Sequence, residues 1–153
     1  MTGPVPRALV EAYYQAYAAR DIGKVAEFIA DDVIWTISGP VDLLGFCGTR
    51  HGKAAALDMI GRQITEVYHV TSFESETMLI DGERVATVNR LSARLAADGR
   101  AISFRVAHFL HFRDGKIIEN ISIIDSFNAV EQVLGHPLDV HVGHPARDNR
   151  AAV

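Results

Sequence analysis

Residues 104–125 read FRVAHFLHFRDGKIIENISIID and carry the clearest secondary-structure signal of the chain. Two runs rich in β-branched and aromatic residues flank the turn signal Arg113-Asp-Gly115, which predicts a β-hairpin. Side chains of a strand alternate between two faces, so we expect Asp125 to share a face with Ile117, Ile121 and Ile123. A carboxylate on an apolar face is costly to bury, and Asp125 is therefore the first candidate for a catalytic acid/base.

The expected register of the hairpin places a second polar group on the same face. If Phe112 pairs with Ile117, then Phe104, Val106 and His108 face the same way as Asp125. His108 and Asp125 would be roughly 13 Å apart along the ladder, which is too far for a hydrogen-bonded dyad. On the preceding strand, a turn around Asp98-Gly99 would set Asn89 opposite His108. The sequence thus predicts two polar spots, with His108 and Asn89 in one and Asp125 in the other.

Length, composition and charge limit the classes of function that the chain can have. With 153 residues, of which 48% are hydrophobic and 22% charged, the chain is expected to form one domain. A net charge of −4 without a basic run argues against nucleic acid or an anionic membrane as partner. Cys47 is the single cysteine, and neither a secretory signal nor a stretch of ~18 apolar residues is present. We therefore expect a cytoplasmic protein.

The remaining patterns predict an α+β fold. Helical periodicity begins the chain at residues 7–19, Asp21 is the expected N-cap of a second helix, and a strand follows at residues 33–37. A glycine-containing irregular segment leads to a third helix, after which aspartate-glycine turns at 81–82, 98–99 and 114–115 delimit an antiparallel meander. Ser126 begins a last helix that Gly135 ends, and residues 136–153 lack periodicity and predict an irregular tail. We expect a curved, largely antiparallel sheet covered on one face by helices.

This order of elements resembles the SnoaL-like group of the superfamily of nuclear transport factor two and ketosteroid isomerase. The resemblance rests on Asp-Asp-Val-Ile-Trp35, on Gly52-Lys53 and on the hairpin with its ending Ile123-Ile-Asp125. It covers roughly residues 5–135 and implies a cone-shaped domain 1–135 with an internal pocket. Members of that superfamily include isomerases, cyclases, dehydratases and epoxide hydrolases, and others only bind or dimerise, so the fold does not select the reaction.

The resemblance also implies roles for particular residues. Asp125 matches the aspartate that serves as acid/base in SnoaL-like cyclases. The last strand would lie beside the first, so that Trp35 would form a wall of the pocket. The outer sheet face, which mixes polar side chains with Phe109, Ile118 and Ile124, would suit a homodimer interface.

The working hypothesis is a cofactor-free isomerase, cyclase or lyase acting on a small, largely apolar molecule. No metal or organic cofactor is expected. The expected catalytic residues are Asp125 and His108, and the expected substrate-binding residues are Asn89, Trp35, Tyr13, Tyr17, Phe104, Val106, Ile121 and Ile123. The alternatives are that Asp125 caps the last helix and His108 is a neutral core histidine. The domain would then be a non-catalytic ligand-binding or dimerisation module. A third alternative is an epoxide hydrolase-like enzyme.

Overall fold

The computed structural model describes residues 3–139, which form an α+β domain built on one mixed sheet. The helices are α1 (Arg7–Ala18), α2 (Ile22–Ala26), α3 (Lys53–Asp58), α4 (Ile64–Val67) and α5 (Ser126–Leu134), and a π-helical segment (Met59–Gln63) joins α3 to α4. The strands are β1 (Ile29–Ser38), β2 (Gly48–His51), β3 (Tyr68–Asp81), β4 (Arg84–Leu95), β5 (Ala101–Arg113) and β6 (Lys116–Ile124).

The sheet confirms the predicted fold class. Its strand order is β2-β1-β6-β5-β4-β3, and only the β1–β6 pair is parallel. The open sheet curls around the helices in a cone, so its inner face and the buried side of α1 form a common core. The first strand lies beside the last, as expected, because Trp35 pairs with Asn120.

Most element predictions agree with the structure, and one strand was missed. Asp21 is the N-cap of α2, where its carboxylate accepts a hydrogen bond from the Lys24 N–H at 3.0 Å. Gly135 ends α5 in the left-handed conformation, with φ of 80°. The segment predicted to be irregular contains β2, which pairs with Ile34–Ile37 of β1. A strand of four residues that begins with a glycine is too short to show the alternation that identifies a strand.

A β-bulge in the β5–β6 hairpin makes the observed register differ from the predicted one. Phe112 pairs with Ile117 as expected, but His111 then pairs with Glu119, so that Ile118 is an extra residue in β6. Because the period of a strand is two, one inserted residue transfers every later side chain to the opposite face. His108 consequently pairs with Ser122 instead of Ile121.

The bulge exchanges the inner and outer residues of β6. The inner face now carries Asn120, Ser122 and Ile124, all of which are buried. Ile121 and Ile123, which were expected in the pocket, are 38% and 49% exposed on the outer face. The prediction that these two isoleucines bind substrate inside the cone is therefore wrong.

No helix among residues 3–139 is long and apolar enough to cross a membrane. The predicted irregular tail, 136–153, lies outside the described residues from residue 140 onward.

The bulge generates a prediction about two adjacent residues. I124A removes buried methyl groups and should lower the free energy of unfolding by about 2–4 kcal/mol, whereas I123A should lower it by less than about 1 kcal/mol. Urea denaturation of both variants measures the difference. A larger loss for I123A than for I124A would contradict the bulged register.

Candidate active site

A continuous chain of hydrogen bonds joins α1 to the inner face of the sheet. The Tyr14 hydroxyl lies 2.7 Å from Thr87 Oγ1 and 3.1 Å from His108 Nδ1. Asn89 Nδ2 donates to Thr87 Oγ1 at 2.9 Å and to the Val106 carbonyl at 3.2 Å. All four side chains that form the chain are buried.

The alternation of the strands positions these groups. Thr87 and Asn89 occupy successive inward positions of β4, and Thr87 pairs directly with His108 of β5. Asn89 was expected opposite His108 but pairs with Val106, two residues along. The connection between β4 and β5 is two residues shorter than predicted, because Arg94 pairs with Ala101, and a shift of two residues preserves the faces. The predicted polar spot of His108 and Asn89 therefore exists, with Thr87 and Tyr14 between them.

Hydrogen-bond satisfaction indicates the direction of the chain. The Asn89 amide nitrogen is identified by the Val106 carbonyl, which only accepts, so Thr87 Oγ1 accepts from Asn89. Within the described chain, the remaining neighbour of the Thr87 hydroxyl is Tyr14 Oη, and we infer that Thr87 donates to it because this arrangement satisfies the Thr87 proton. Tyr14 then donates to His108 Nδ1, and the histidine proton lies on Nε2.

His108 is neutral at physiological pH. It is 2% exposed, and desolvation by burial lowers its pKa from 6.5 to about 4. Burial likewise raises the pKa of Tyr14 well above that of a free tyrosine, which outweighs the opposite effect of the Thr87 hydrogen bond. The pair is thus a neutral imidazole held by a neutral phenol.

His108 lines a small cavity inside the cone. The cavity measures about 20 Å³, and its walls include the predicted residues Tyr17, Phe104 and Val106. Ligand sites for drug-sized molecules occupy hundreds of Å³, so aromatic and aliphatic side chains largely fill this interior. The lining side chains include no carboxylate; they are Tyr17, Ile37, Phe46, Ile64, Tyr68, Phe73, Leu91, Phe104, Val106, His108, Ser122 and Ile124.

A second polar spot lies across the β5–β6 ladder from His108. Ser122 pairs directly with His108 and lines the same cavity. Its hydroxyl oxygen accepts a hydrogen bond from Asn120 Nδ2 at 2.9 Å, which leaves the hydroxyl proton to donate elsewhere. Asn120 is fully buried, and its Oδ1 has no hydrogen-bond partner in the described part of the chain.

Asp125 lies outside this site. It follows the last residue of β6, is exposed, and occupies the N-cap position of α5. Its side chain makes no capping bond to the helix backbone, and Asn128 Nδ2 lies 3.5 Å from Oδ2. The prediction that the Asp125 carboxylate lies on the inner face is therefore wrong. The bulge at Ile118 turns the later residues of β6 to the opposite face, and the strand ends before Asp125.

The other predicted pocket residues belong to the core. Trp35 and Tyr13 are almost completely buried, and neither lines the cavity. Tyr13 stacks edge-to-face on Phe28 with ring centroids 5.9 Å apart, which is a packing role. Among residues 3–139, no group of three or more potential metal ligands lies together.

Sequence reasoning missed Tyr14, Thr87, Ser122 and Asn120 as members of the site. The site residues on β4 could have been found from the alternation of the strand, because Thr87 and Asn89 are two residues apart and therefore lie on the same face. For Asn120 and Ser122 the same signal assigned the wrong face, because the unbulged register placed both outside. Tyr14 follows Tyr13 on α1, and only the packing of the helix on the sheet distinguishes them.

Comparisons with known proteins agree with this architecture. The sequence model of the SnoaL-like domain matches residues 10–120. The chain is similar to a proposed isomerase from Rhodopseudomonas palustris, with 32% identity over 83% of this chain and 93% of that chain and a TM-score of 0.73. Among curated proteins, no sequence matches significantly.

More distant structures share the fold. An NTF2-like protein of unknown function from Burkholderia pseudomallei is 21% identical over 82% of this chain and 95% of that chain, with a TM-score of 0.75. A protein with a ketosteroid isomerase-like fold from Catenulispora acidiphila, in complex with trimethylamine, is 14% identical over 87% and 96% of the two chains, with a TM-score of 0.69.

The depressed pKa of His108 predicts a pH-dependent stability. An unfolded histidine binds a proton below pH 6.5, whereas the folded one binds it only near pH 4. The contribution of His108 to the free energy of unfolding is therefore complete above pH 6.5 and is lost as the pH falls toward 4. Between pH 7 and pH 5 the loss is about 2 kcal/mol. The difference in unfolding free energy between wild type and H108Q should shrink by that amount over this range.

The matched control is H69Q, which removes an exposed histidine of β3 and should show no such change. Urea denaturation at both pH values measures the stabilities, and nitrogen NMR of the imidazole reports the tautomer. A proton found on Nδ1 at neutral pH would contradict the derived direction of the hydrogen-bond chain.

Proposed function

The chain belongs to the SnoaL-like domain family, and we propose that it binds a small, largely apolar molecule in the cone through an oxygen atom of that molecule. The observation that carries the proposal is the buried neutral His108. Its Nδ1 accepts from Tyr14, so its Nε2–H is the hydrogen-bond donor available to a ligand in the cavity.

Ser122 supplies a second donor beside the first. Paired residues of adjacent antiparallel strands have Cβ atoms about 4.5–5.5 Å apart, which allows two donors to approach one oxygen. The Ser122 hydroxyl proton is free to donate because Asn120 occupies the oxygen as a donor. Two neutral donors in an apolar surrounding match a carbonyl oxygen, which accepts two hydrogen bonds and carries no proton.

The same arrangement supplies one half of an isomerase-type site that needs no cofactor. Donors aimed at a carbonyl oxygen stabilise negative charge that develops there. The lining side chains include no carboxylate that could take a proton from a neighbouring carbon, so the base of such a reaction lies outside these residues. The similarity to the proposed isomerase from Rhodopseudomonas palustris favours this class of reaction. Epoxide hydrolysis has no support here, since that reaction in this superfamily uses a carboxylate and the cavity lining includes none.

The proposal is tested with acetophenone and with ethylbenzene, which has a similar shape but lacks the oxygen. Acetophenone should shift the NMR signals of His108 and Ser122 and bind more tightly than ethylbenzene. S122A should lower the affinity for acetophenone about 3- to 10-fold, which corresponds to the loss of one hydrogen bond, and should leave the affinity for ethylbenzene unchanged. S103A, which removes a serine on the other face of β5, is the matched control.

Equal affinity for the two compounds, or an equal effect of S122A on both, would contradict binding through an oxygen atom. Failure of both compounds to bind would favour the second candidate function, described next.

The second candidate is a non-catalytic dimerisation module. It is favoured by the small cavity and by an apolar outer face, where Phe109 and Leu79 are 47% and 66% exposed. These side chains and Ile121 line a groove of about 460 Å³ on the outside of the sheet. Exposed apolar surfaces of this kind mark protein contacts, and we propose a second copy of the chain as the partner.

A charge placed in the outer groove should separate such a dimer. I121E is expected to convert dimer to monomer in sedimentation velocity, because an unpaired carboxylate would be buried between the copies. L134E adds the same charge at an exposed position of α5 and should leave the dimer intact. A monomeric wild-type chain at micromolar concentration would contradict the dimer.

A further inference from the structure

We propose that the groove between α1 and β3 is the mouth of the ligand site and that the ring of Phe73 is its gate. The inference deepens the proposed function, since it rests on a ligand reaching the inside of the cone. The groove measures about 480 Å³ and is open to solvent. Its walls include Tyr14 and Gln15 from α1 and Ser75 and Met78 from β3.

Phe73 separates this groove from the inner cavity. It is the residue that lines both spaces, and only 7% of it is exposed. Its ring stacks on that of His108 with centroids 5.5 Å apart and on that of Tyr14 with centroids 6.0 Å apart. Outward rotation of this one ring would therefore join the two spaces and uncover His108.

The closed cavity requires such a movement. A volume of about 20 Å³ accommodates roughly one water molecule, which is far less than a molecule with a ring. Space for a ligand must come from displaced side chains. Displacing Phe73 adds the volume of its ring to the cavity and connects it to the larger groove.

The strand that carries Phe73 is suited to move. β3 is an edge strand, so it is held by β4 on one side alone. Its register to β4 shifts between Val70 and Ser72 and again between Ser75 and Thr77, which leaves a four-residue segment, 72–75, between two bulges. Bulges interrupt the ladder of hydrogen bonds, and the segment between them is the least constrained part of the wall.

The opposite wall of the groove is fixed more firmly. The Val5 N–H, just before α1, donates to the Gly82 carbonyl at 2.8 Å. At the other end of α1, the Arg20 guanidinium donates to the Ile60 carbonyl in the π-helical segment. In its middle, α1 is held to β4 and β5 by the Tyr14 hydroxyl, which lies within hydrogen-bond distance of Thr87 and His108. A change in the width of the mouth therefore falls on segment 72–75 of β3.

The experiment measures access to His108 without any ligand. Diethyl pyrocarbonate modifies neutral imidazoles that solvent reaches, and mass spectrometry gives the rate for each histidine. His108 in the wild type should react slowly, and F73A should raise its rate at least about tenfold, since an open fraction of a few per cent becomes the main state. Exposed His69 in the same molecules provides the internal reference.

M78A is the matched control, because it widens the groove without removing the wall to the cavity. It should leave the rate of His108 unchanged. F73L, a smaller change, replaces F73A if the alanine variant does not fold, and an intermediate acceleration is then expected. An unchanged rate in the Phe73 variants, or the same acceleration in M78A, would overturn the gate.

The gate and the proposed function fail in different ways. If His108 is modified faster in the Phe73 variants alone, the gate is supported even where acetophenone does not bind. The failure of acetophenone to bind then counts against the proposed function alone. If acetophenone binds and F73A leaves both the modification rate and the association rate unchanged, the gate is wrong and the proposed function stands.

Discussion

The register between β5 and β6 is the constraint on which the rest of the site depends. One extra residue, Ile118, determines that Ser122 faces His108 and that Ile121 and Ile123 point outward. Without the bulge the inner face would carry isoleucines at these positions, and the cavity would lose its second donor. The bulge also adds Ile121 and Ile123 to the apolar outer surface beside Phe109, so a single backbone irregularity affects both the polarity of the interior and the character of the exterior.

The chemistry of the interior follows from burial more than from charge. An imidazole in water is a weak base near neutral pH, but the aromatic rings around His108 remove that property and leave a donor. Tyr14 and Thr87 then act as positioning residues, since they orient the histidine proton without reaching the cavity lining themselves. A site of this type recognises the shape and the oxygen of a molecule rather than its charge.

The sequence was sufficient for much of the fold and for part of the site. Periodicity, the N-cap at Asp21 and the aspartate-glycine turns identified most elements, because these signals are local. His108 and Asn89 were identified as one polar spot because a register error of two residues keeps side chains on their faces. Asp125 was misplaced because a bulge of one residue has no local signature in the sequence, where Ile117 and Ile118 are equally suited to either face. Tyr14 depends on how α1 packs on the sheet, and short-range patterns do not encode that contact.

The irregular edge of the sheet has a consequence for how the protein behaves in a crowded solution. An edge strand offers unpaired backbone groups to any other strand that approaches, and a long regular edge invites sheets to join. The two bulges of β3 break the regular spacing of those groups, while Glu74 and Glu76 add charge at the solvent-facing positions. The same departures from regularity that we propose to loosen the wall beside Phe73 thus also disfavour the pairing of another strand with this edge of the sheet.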